Sequence, residues 1–232
     1  MLVYGRNVAL EMLKNPKKVQ KVLLQDGFDD KKILSLLESS KIPVFIKSKR
    51  EIDRLAEGVH QGIILYVRDY QYYPLMSIVN EEASFLVILD HLEDPHNFGA
   101  IIRTCEAAGV DGIIIPKDRQ VGVTATVMKT SVGTLDSMKI SQVANLSSTI
   151  DYLKKQNFWV VGTALEDSAD YRTIDYSGKI ALVIGNEGSG ISNLVRKKCD
   201  FIAKIPMYGR TNSLNASVAS GIMIYEVIRN RK

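Results

Sequence analysis

Apolar positions along this chain change period repeatedly, and the changes divide it into segments. In "GRNVALEMLK", "DDKKILSLLESS" and "REIDRLAE" they recur every three to four residues, the spacing of one buried helix face. Between them lie "VQKVLLQ", "IPVFIKS" and "QGIILYVR", runs rich in Val, Ile, Leu and aromatic residues that predict strands. The alternation predicts a small α/β domain over residues 1–68. In "DYQYYPLMSIVNEEA" neither period dominates and a proline intervenes, which predicts a linker over 69–80 running into a helix. Beyond it, "SFLVILD", "GIIIP", "KISQV", "FWVVGTAL", "KIALVIG" and "FIAKIPM" are near-continuous apolar runs alternating with helical segments. Strands read this way when both faces of a parallel sheet are covered, so an α/β domain with a parallel sheet is expected over 81–232.

Composition narrows the function classes. A chain of 232 residues with 46% hydrophobic and 24% charged residues is of ordinary globular character, which excludes a disordered or fibrous protein. No apolar run approaches the ~18 residues of a membrane span, and the N-terminus lacks a charged-then-apolar secretory pattern; a cytoplasmic protein is expected. Cys105 and Cys199 support neither a disulfide framework nor a CxxC zinc site. The formal charge of +4 and the pI near 8.9 are compatible with a polyanionic partner. Lys14, Lys17, Lys18, Lys47, Lys49 and Arg50 are candidates for phosphate contact, each equally a solvated surface residue.

Three places share one design, a strand end, a turn rich in Gly, Asn and Ser, then a helix: "LEDPHNFGAIIRT", "GNEGSGIS" and "IPMYGRTNSLNASVAS". In open α/β sheets ligands bind outside the carboxyl ends of strands, where helix N-termini offer free N–H groups. Three such turns predict one composite site. The first holds His91, Glu93, Asp94 and His96, all metal-ligand types, but the histidines lack HExxH spacing and Asp94-Pro95 is a turn opener. Asp90 with Asp94 as an acid/base pair is no better supported than a strand-end capper beside a turn former. Neither idea accounts for Asn97 and Arg103 on one apolar helix. In the second turn Gly185, Gly188 and Gly190 do not form GxGxxG, and GxxxxGK[ST] occurs nowhere, so a nicotinamide-dependent oxidoreductase or a P-loop enzyme loses its warrant. Glu187 between these glycines either caps a helix or accepts hydrogen bonds from a cationic or hydroxyl-bearing partner. In the third, Asn212, Ser213, Asn215 and Ser217 crowd the start of a terminal helix. Capping explains one or two of them, and a small polar ligand is the better account of four.

In this order and at these separations, the three motifs resemble those of the SpoU (TrmH-type) RNA 2′-O-ribose methyltransferases of the SPOUT superfamily. The head, with "YGRNVALEML" and "HQGIILYV", resembles the ribosomal-protein-like substrate-binding domain of members that act on ribosomal RNA. The resemblance implies a deep trefoil knot near the C-terminus, a homodimer, S-adenosyl-L-methionine held by the knot loops as methyl donor, and no metal. It implies methyl transfer to a ribose 2′-hydroxyl, foremost of a guanosine in 23S rRNA, with no membrane or DNA partner. Transfer RNA or an antibiotic-target rRNA site is the alternative substrate, and a non-catalytic RNA-binding protein the alternative class. Carried over by position, the catalytic residues fall on Asn97, Arg103, Glu187, Ser213 and Asn215. The cofactor contacts fall on Gly185, Ile205 and Leu214, with Thr163 as a further wall. For Arg103 the family role of general base sits awkwardly with a guanidinium pKa above ~12. A charged clamp on the phosphate beside the target ribose, stabilising the developing alkoxide, is the alternative.

Overall fold

The computed structural model describes the whole chain except Glu57, Glu82, Ala83, Val132 and Lys232. It contains two compact units, one of Met1–Gln71 with Val123–Gly133, the other of Tyr72–Gly122 with Thr134–Lys232.

The first unit runs β1 (Leu2–Tyr4), α1 (Arg6–Lys14), β2 (Val19–Gln25), α2 (Lys31–Ser39), β3 (Val44–Lys47), α3 (Lys49–Leu55) and β4 (Ile63–Val67). Its strands lie in the order β1-β4-β2-β3, with β4 antiparallel to both neighbours and β2 parallel to β3. Caps fix where its helices start. The Asp30 carboxylate accepts the N–H groups of Lys32 and Ile33, and Ser48 with Glu51 forms a capping box. The helix expected over 50–57 ends at Leu55, and its last expected residue, Glu57, lies outside the described residues. β1 was not expected, because three residues show no period and only its pairing with β4 defines it. β3 is an edge strand that leaves Val44, Phe45 and Ile46 exposed.

The remaining elements are α4 (Leu75–Ile78), β5 (Phe85–Asp90), α5 (Pro95–Ala107), β6 (Gly112–Pro116), α6 (Ala125–Thr130), β7 (Ile140–Val143), α7 (Leu146–Lys155), β8 (Phe158–Thr163), β9 (Ala169–Asp170), β10 (Lys179–Gly185), α8 (Asn193–Arg196), β11 (Phe201–Lys204) and α9 (Ala216–Arg229). The seven strands form one parallel sheet in the order β7-β6-β5-β10-β8-β11-β9. Every residue of β5 and β6 is buried, the physical cause of their uninterrupted apolar sequences. Leu86, Ile88, Ile114 and Val183 pack with Ile150 and Leu153 of α7 and Val195 of α8. α5 and α9 pack on each other.

At two places the compact units run over other residues than the expected segments. Residues 123–133 were expected within the catalytic domain, yet they belong to the first unit, where α6 packs on β1 and the Lys129 ammonium lies 6.0 Å from the Tyr4 ring centroid. Helical period identifies an apolar face but not the core that receives it. The end of the expected linker belongs to the second unit, where Tyr73 N–H donates to Ile140 O at 2.8 Å and Ile78 is fully buried.

In the second sheet the chain steps outward from β5 through β6 to β7, then returns to lay down β8 one place beyond the gap that β10 later fills. The carboxyl ends of β5, β8, β10 and β11 therefore converge, the place where open α/β sheets bind ligands.

Candidate active site

The three turns are built onto one another. Asp90 closes β5 and is 1% exposed; its Oδ2 accepts Ser192 N–H at 2.6 Å and its Oδ1 pairs with His91 Nδ1 at 2.5 Å. This holds His91 in the left-handed region at φ 62°. Asp94 caps α5 by accepting His96 N–H at 2.6 Å. Both carboxylates of the weighed acid/base pair thus hold turns. Among the described residues no cluster of His, Cys, Asp and Glu is arranged to hold a metal ion.

The second turn folds back on itself, with Asn186 and Gly190 exchanging backbone hydrogen bonds at 3.0 and 2.9 Å. Asn186 Nδ2 donates to His91 O at 2.9 Å, and its Oδ1 accepts Gly188 N–H at 2.9 Å, so this amide locks the second turn to the first. A Cβ on Gly185 would lie 2.2 Å from the Gly190 carbonyl carbon, so only glycine lets the turn close on the end of β10.

Asn215 joins the third turn to both others. Its Oδ1 caps α9 by accepting Ser217 and Val218 N–H at 3.0 and 3.3 Å. Its Nδ2 donates to Asn97 Oδ1 at 3.0 Å and to Glu187 Oε1 at 2.8 Å. Glu187 Oε1 also accepts from Asn97 Nδ2 at 2.6 Å and from Ala216 N–H at 3.2 Å. One carboxylate oxygen therefore collects three donors from the other two motifs, and its negative charge sits at the N-terminus of α9, where the helix dipole favours it. Asn97 is buried, while Glu187 and Asn215 reach the surface.

Arg103 stands apart from this cluster. It lies on α5 six residues beyond Asn97, about 240° round the helix, and is exposed. Among the described residues it has no hydrogen-bond or ion-pair partner. The structure brings Asn97, Glu187 and Asn215 together and leaves Arg103 available to another molecule.

Beside the cluster, a cavity of about 630 Å³ opens between the ends of β8, β10 and β11 and the start of α9. Thr163, Gly185, Ile205 and Leu214 all line it, as do Glu187 and Ser213; Asn97, Arg103 and Asn215 are not in its wall. Glu166, Asn193 and Arg196, not singled out from the sequence, also line it. Arg196 donates to Glu166 O at 2.5 Å and sits 3.3 Å from Asp167, which fixes the turn after β8 where Asp167 has φ 43°. In sequence Arg196 reads as a basic helix end, and no local pattern links it to a turn thirty residues earlier. Burial pushes the Cys199 thiol up to about 12 and the Cys105 thiol further still, which disfavours the nucleophilic thiolate at both.

The SpoU rRNA methylase family model matches residues 84–225, and the model for RNA 2′-O ribose methyltransferase substrate binding matches residues 2–73. A putative TrmH family tRNA/rRNA methyltransferase of Staphylococcus saprophyticus is 44% identical, the match covering 100% of this chain and 96% of that protein. The SpoU methyltransferase AviRb of Streptomyces viridochromogenes, solved with the cofactor AdoMet, is 27% identical with a TM-score of 0.82 over 100% of this chain and 90% of its own. An AdoMet-bound rRNA methyltransferase of Sinorhizobium meliloti is 28% identical with a TM-score of 0.78 over 98% of this chain and 86% of its own. With its motifs joined in space, both segments matched and a full-length relative this similar, the chain belongs to the SpoU methyltransferase family.

Proposed function

We propose that this protein transfers the methyl group of S-adenosylmethionine to the ribose 2′-hydroxyl of a guanosine in 23S rRNA. The observation that carries the reading is the cavity at the strand ends, on which all four positions expected to contact the cofactor converge. Its 630 Å³ lies within the ~300–1,000 Å³ of small-molecule sites. Ile184, Ile205 and Leu214 offer apolar walls to a flat base, and Gly185 admits close backbone approach. The carboxylates of Glu166 and Glu187 suit sugar hydroxyls and a sulfonium charge, so the residues present fit the cofactor. When bound, it supplies a methyl group already activated on sulfur.

The chain's own residues then have to align the acceptor and manage its proton. Asn97, Glu187 and Asn215 keep the three loops in register, and Ser213 shapes the cavity mouth. Arg103, exposed and unpaired, clamps the phosphate next to the target ribose and stabilises the oxygen as it loses its proton. The working assembly in this reading is a homodimer, checked by light scattering in solution, and its catalytic unit carries the trefoil knot.

Ribosomal RNA is favoured because a whole-chain neighbour is an rRNA methyltransferase and the head matches the substrate-binding model. Transfer RNA is the second reading, since the Staphylococcus saprophyticus relative is described for both substrates. The deciding measurement is incorporation of labelled methyl from S-adenosylmethionine into unmodified rRNA and tRNA in parallel, with the nucleotide mapped. A single 2′-O-methylguanosine in 23S rRNA is expected. Label confined to tRNA overturns the substrate, and label in neither leaves a non-catalytic RNA-binding protein.

A further inference from the structure

The first unit carries a crevice of its own, of about 440 Å³, lined among others by Arg6, Gly27, Phe28, Lys49, His60 and Gln61. Three of its lining residues, Gly27, Gln61 and Gly62, have positive φ, of 77°, 52° and 79°. A non-glycine residue stays left-handed only where its surroundings over-determine it, and such residues cluster at ligand sites. Gln61 is held by Arg6, whose backbone N–H donates to Gln61 Oε1 at 2.8 Å and whose Nε donates to Gln61 O at 3.4 Å. That uses the side-chain oxygen of Gln61 and leaves its NH₂ group without a partner among the described residues. His60 is committed to the same turn, since Nδ1 accepts Gly62 N–H at 3.0 Å and Nε2 meets Asp53 at 2.7 Å.

The lining chemistry is specific. The Arg6 guanidinium lies 5.0 Å from the centroid of the Phe28 ring, and Asp29 and Asp30 fix it from the side at 3.0 and 3.8 Å. Lys49 adds an exposed ammonium with no ion-pair partner among the described residues. A Cβ on Gly27 would meet nothing within 4 Å, so the crevice is open there. An aromatic face with a guanidinium, a free amide donor and a separate ammonium match the base, the base edge and the phosphate of one nucleotide.

We infer that this crevice takes a single unpaired nucleotide of the RNA substrate. The base lies against the Arg6 and Phe28 stack, the Gln61 amide donates to its edge, and Lys49 meets its phosphate. The inference rests on the proposed RNA substrate but not on methyl transfer. It selects unpaired RNA, because a stacked base inside a duplex does not offer its face.

The test uses the full chain with deproteinised, unmodified ribosomal RNA carrying 4-thiouridine, and compares wild type with Lys49→Ala and Phe28→Leu. Affinity at several salt concentrations, crosslinked peptides, S-adenosylmethionine affinity and melting temperature are read together. Phe28→Leu is expected to weaken RNA binding about tenfold, the effect of losing one base stack. Lys49→Ala is expected to lower the slope of log affinity against log salt by about 0.7, one phosphate on a single strand. Crosslinks are expected within residues 25–28 or 59–62, with cofactor affinity and melting temperature at wild-type values. Unchanged RNA affinity in both variants, or crosslinks confined to other surfaces, overturns the inference. So does weakened binding in both variants that merely follows a fallen melting temperature, which marks the crevice as a structural tether. RNA binding that depends on the crevice in a protein without methyl transfer sustains the inference while removing the enzymatic reading.

Discussion

The two units hold their concave surfaces open by different means. In the second unit distant side chains do it: Glu187 Oε1 gathers Asn97, Asn215 and Ala216, and Asp90 reaches Ser192. In the first unit a single turn does it, with left-handed Gln61 and Gly62 pinned by Arg6 and His60. The difference teaches that one concave surface depends on amides and carboxylates brought together from three distant motifs, while the other depends on one turn held by Arg6 and His60.

The strongest way to sharpen the contrast is to remove chemistry without touching either scaffold. Arg103→Lys should lower turnover by about 10²–10³, the range for losing one transition-state donor, while S-adenosylmethionine affinity measured by calorimetry stays unchanged. Turnover at the wild-type level in that variant rejects the role of Arg103.

Glycine replacements separate the two constructions next. Gly185→Ala places a Cβ 2.2 Å from backbone and should displace the turn at a cost of about 1–3 kcal/mol, seen as a lower melting temperature and at least about tenfold weaker cofactor binding. Gly27→Ala meets no atom and carries only the left-handed penalty of about 1–2 kcal/mol, so it should lower stability and leave cofactor binding alone. Equal loss of cofactor binding in both variants would contradict the division of labour.

Glu187→Ala strands the amide of buried Asn97 and should cost about 1–2 kcal/mol in denaturant unfolding, and Glu187→Gln, which keeps the acceptor oxygen, should recover part of it. The smallest effect belongs to the first unit. Hydrogen bonds from Lys47 and Ser48 hold the Glu51 carboxyl down to about 2, well below its ordinary 4.5. Because the folded value is depressed, the capping box stabilises the fold above pH ~4.5 and loses that contribution as pH falls toward about 2. The melting-temperature gap between wild type and Glu51→Gln should therefore close over that interval.

Much of the architecture was legible because burial writes it into composition. β2, β6 and β10 run over the same residues as the apolar runs that predicted them. β1 and β9, of three and two residues, left no trace because partners and not periodicity define them. α6 falls among the helical segments expected between apolar runs, but its membership of the first unit depends on packing against β1, which lies far off in sequence. In the site, Asn97 stood out as a polar residue on an apolar helix, and Asn215 as one of four polar residues that capping explained in part; Asn215 is a cap. Their shared bond to Glu187 spans 90 residues in one case and 28 in the other, beyond any local pattern. The resemblance to a family supplied what periodicity could not, and Arg196, tied to the turn after β8, escaped both.

The junction at Glu187 also orders events in time. During synthesis the ribosome delivers Asn97 ninety residues before Glu187, and Asn215 a further 28 residues later. Until α9 docks, Glu187 lacks two of its three donors, and the third motif's share of the cavity wall is missing. Contacts of such long sequence separation carry a larger loop-closure cost than local ones. A partly made chain therefore holds all the residues of the first unit before the third motif can complete the cavity wall of the second.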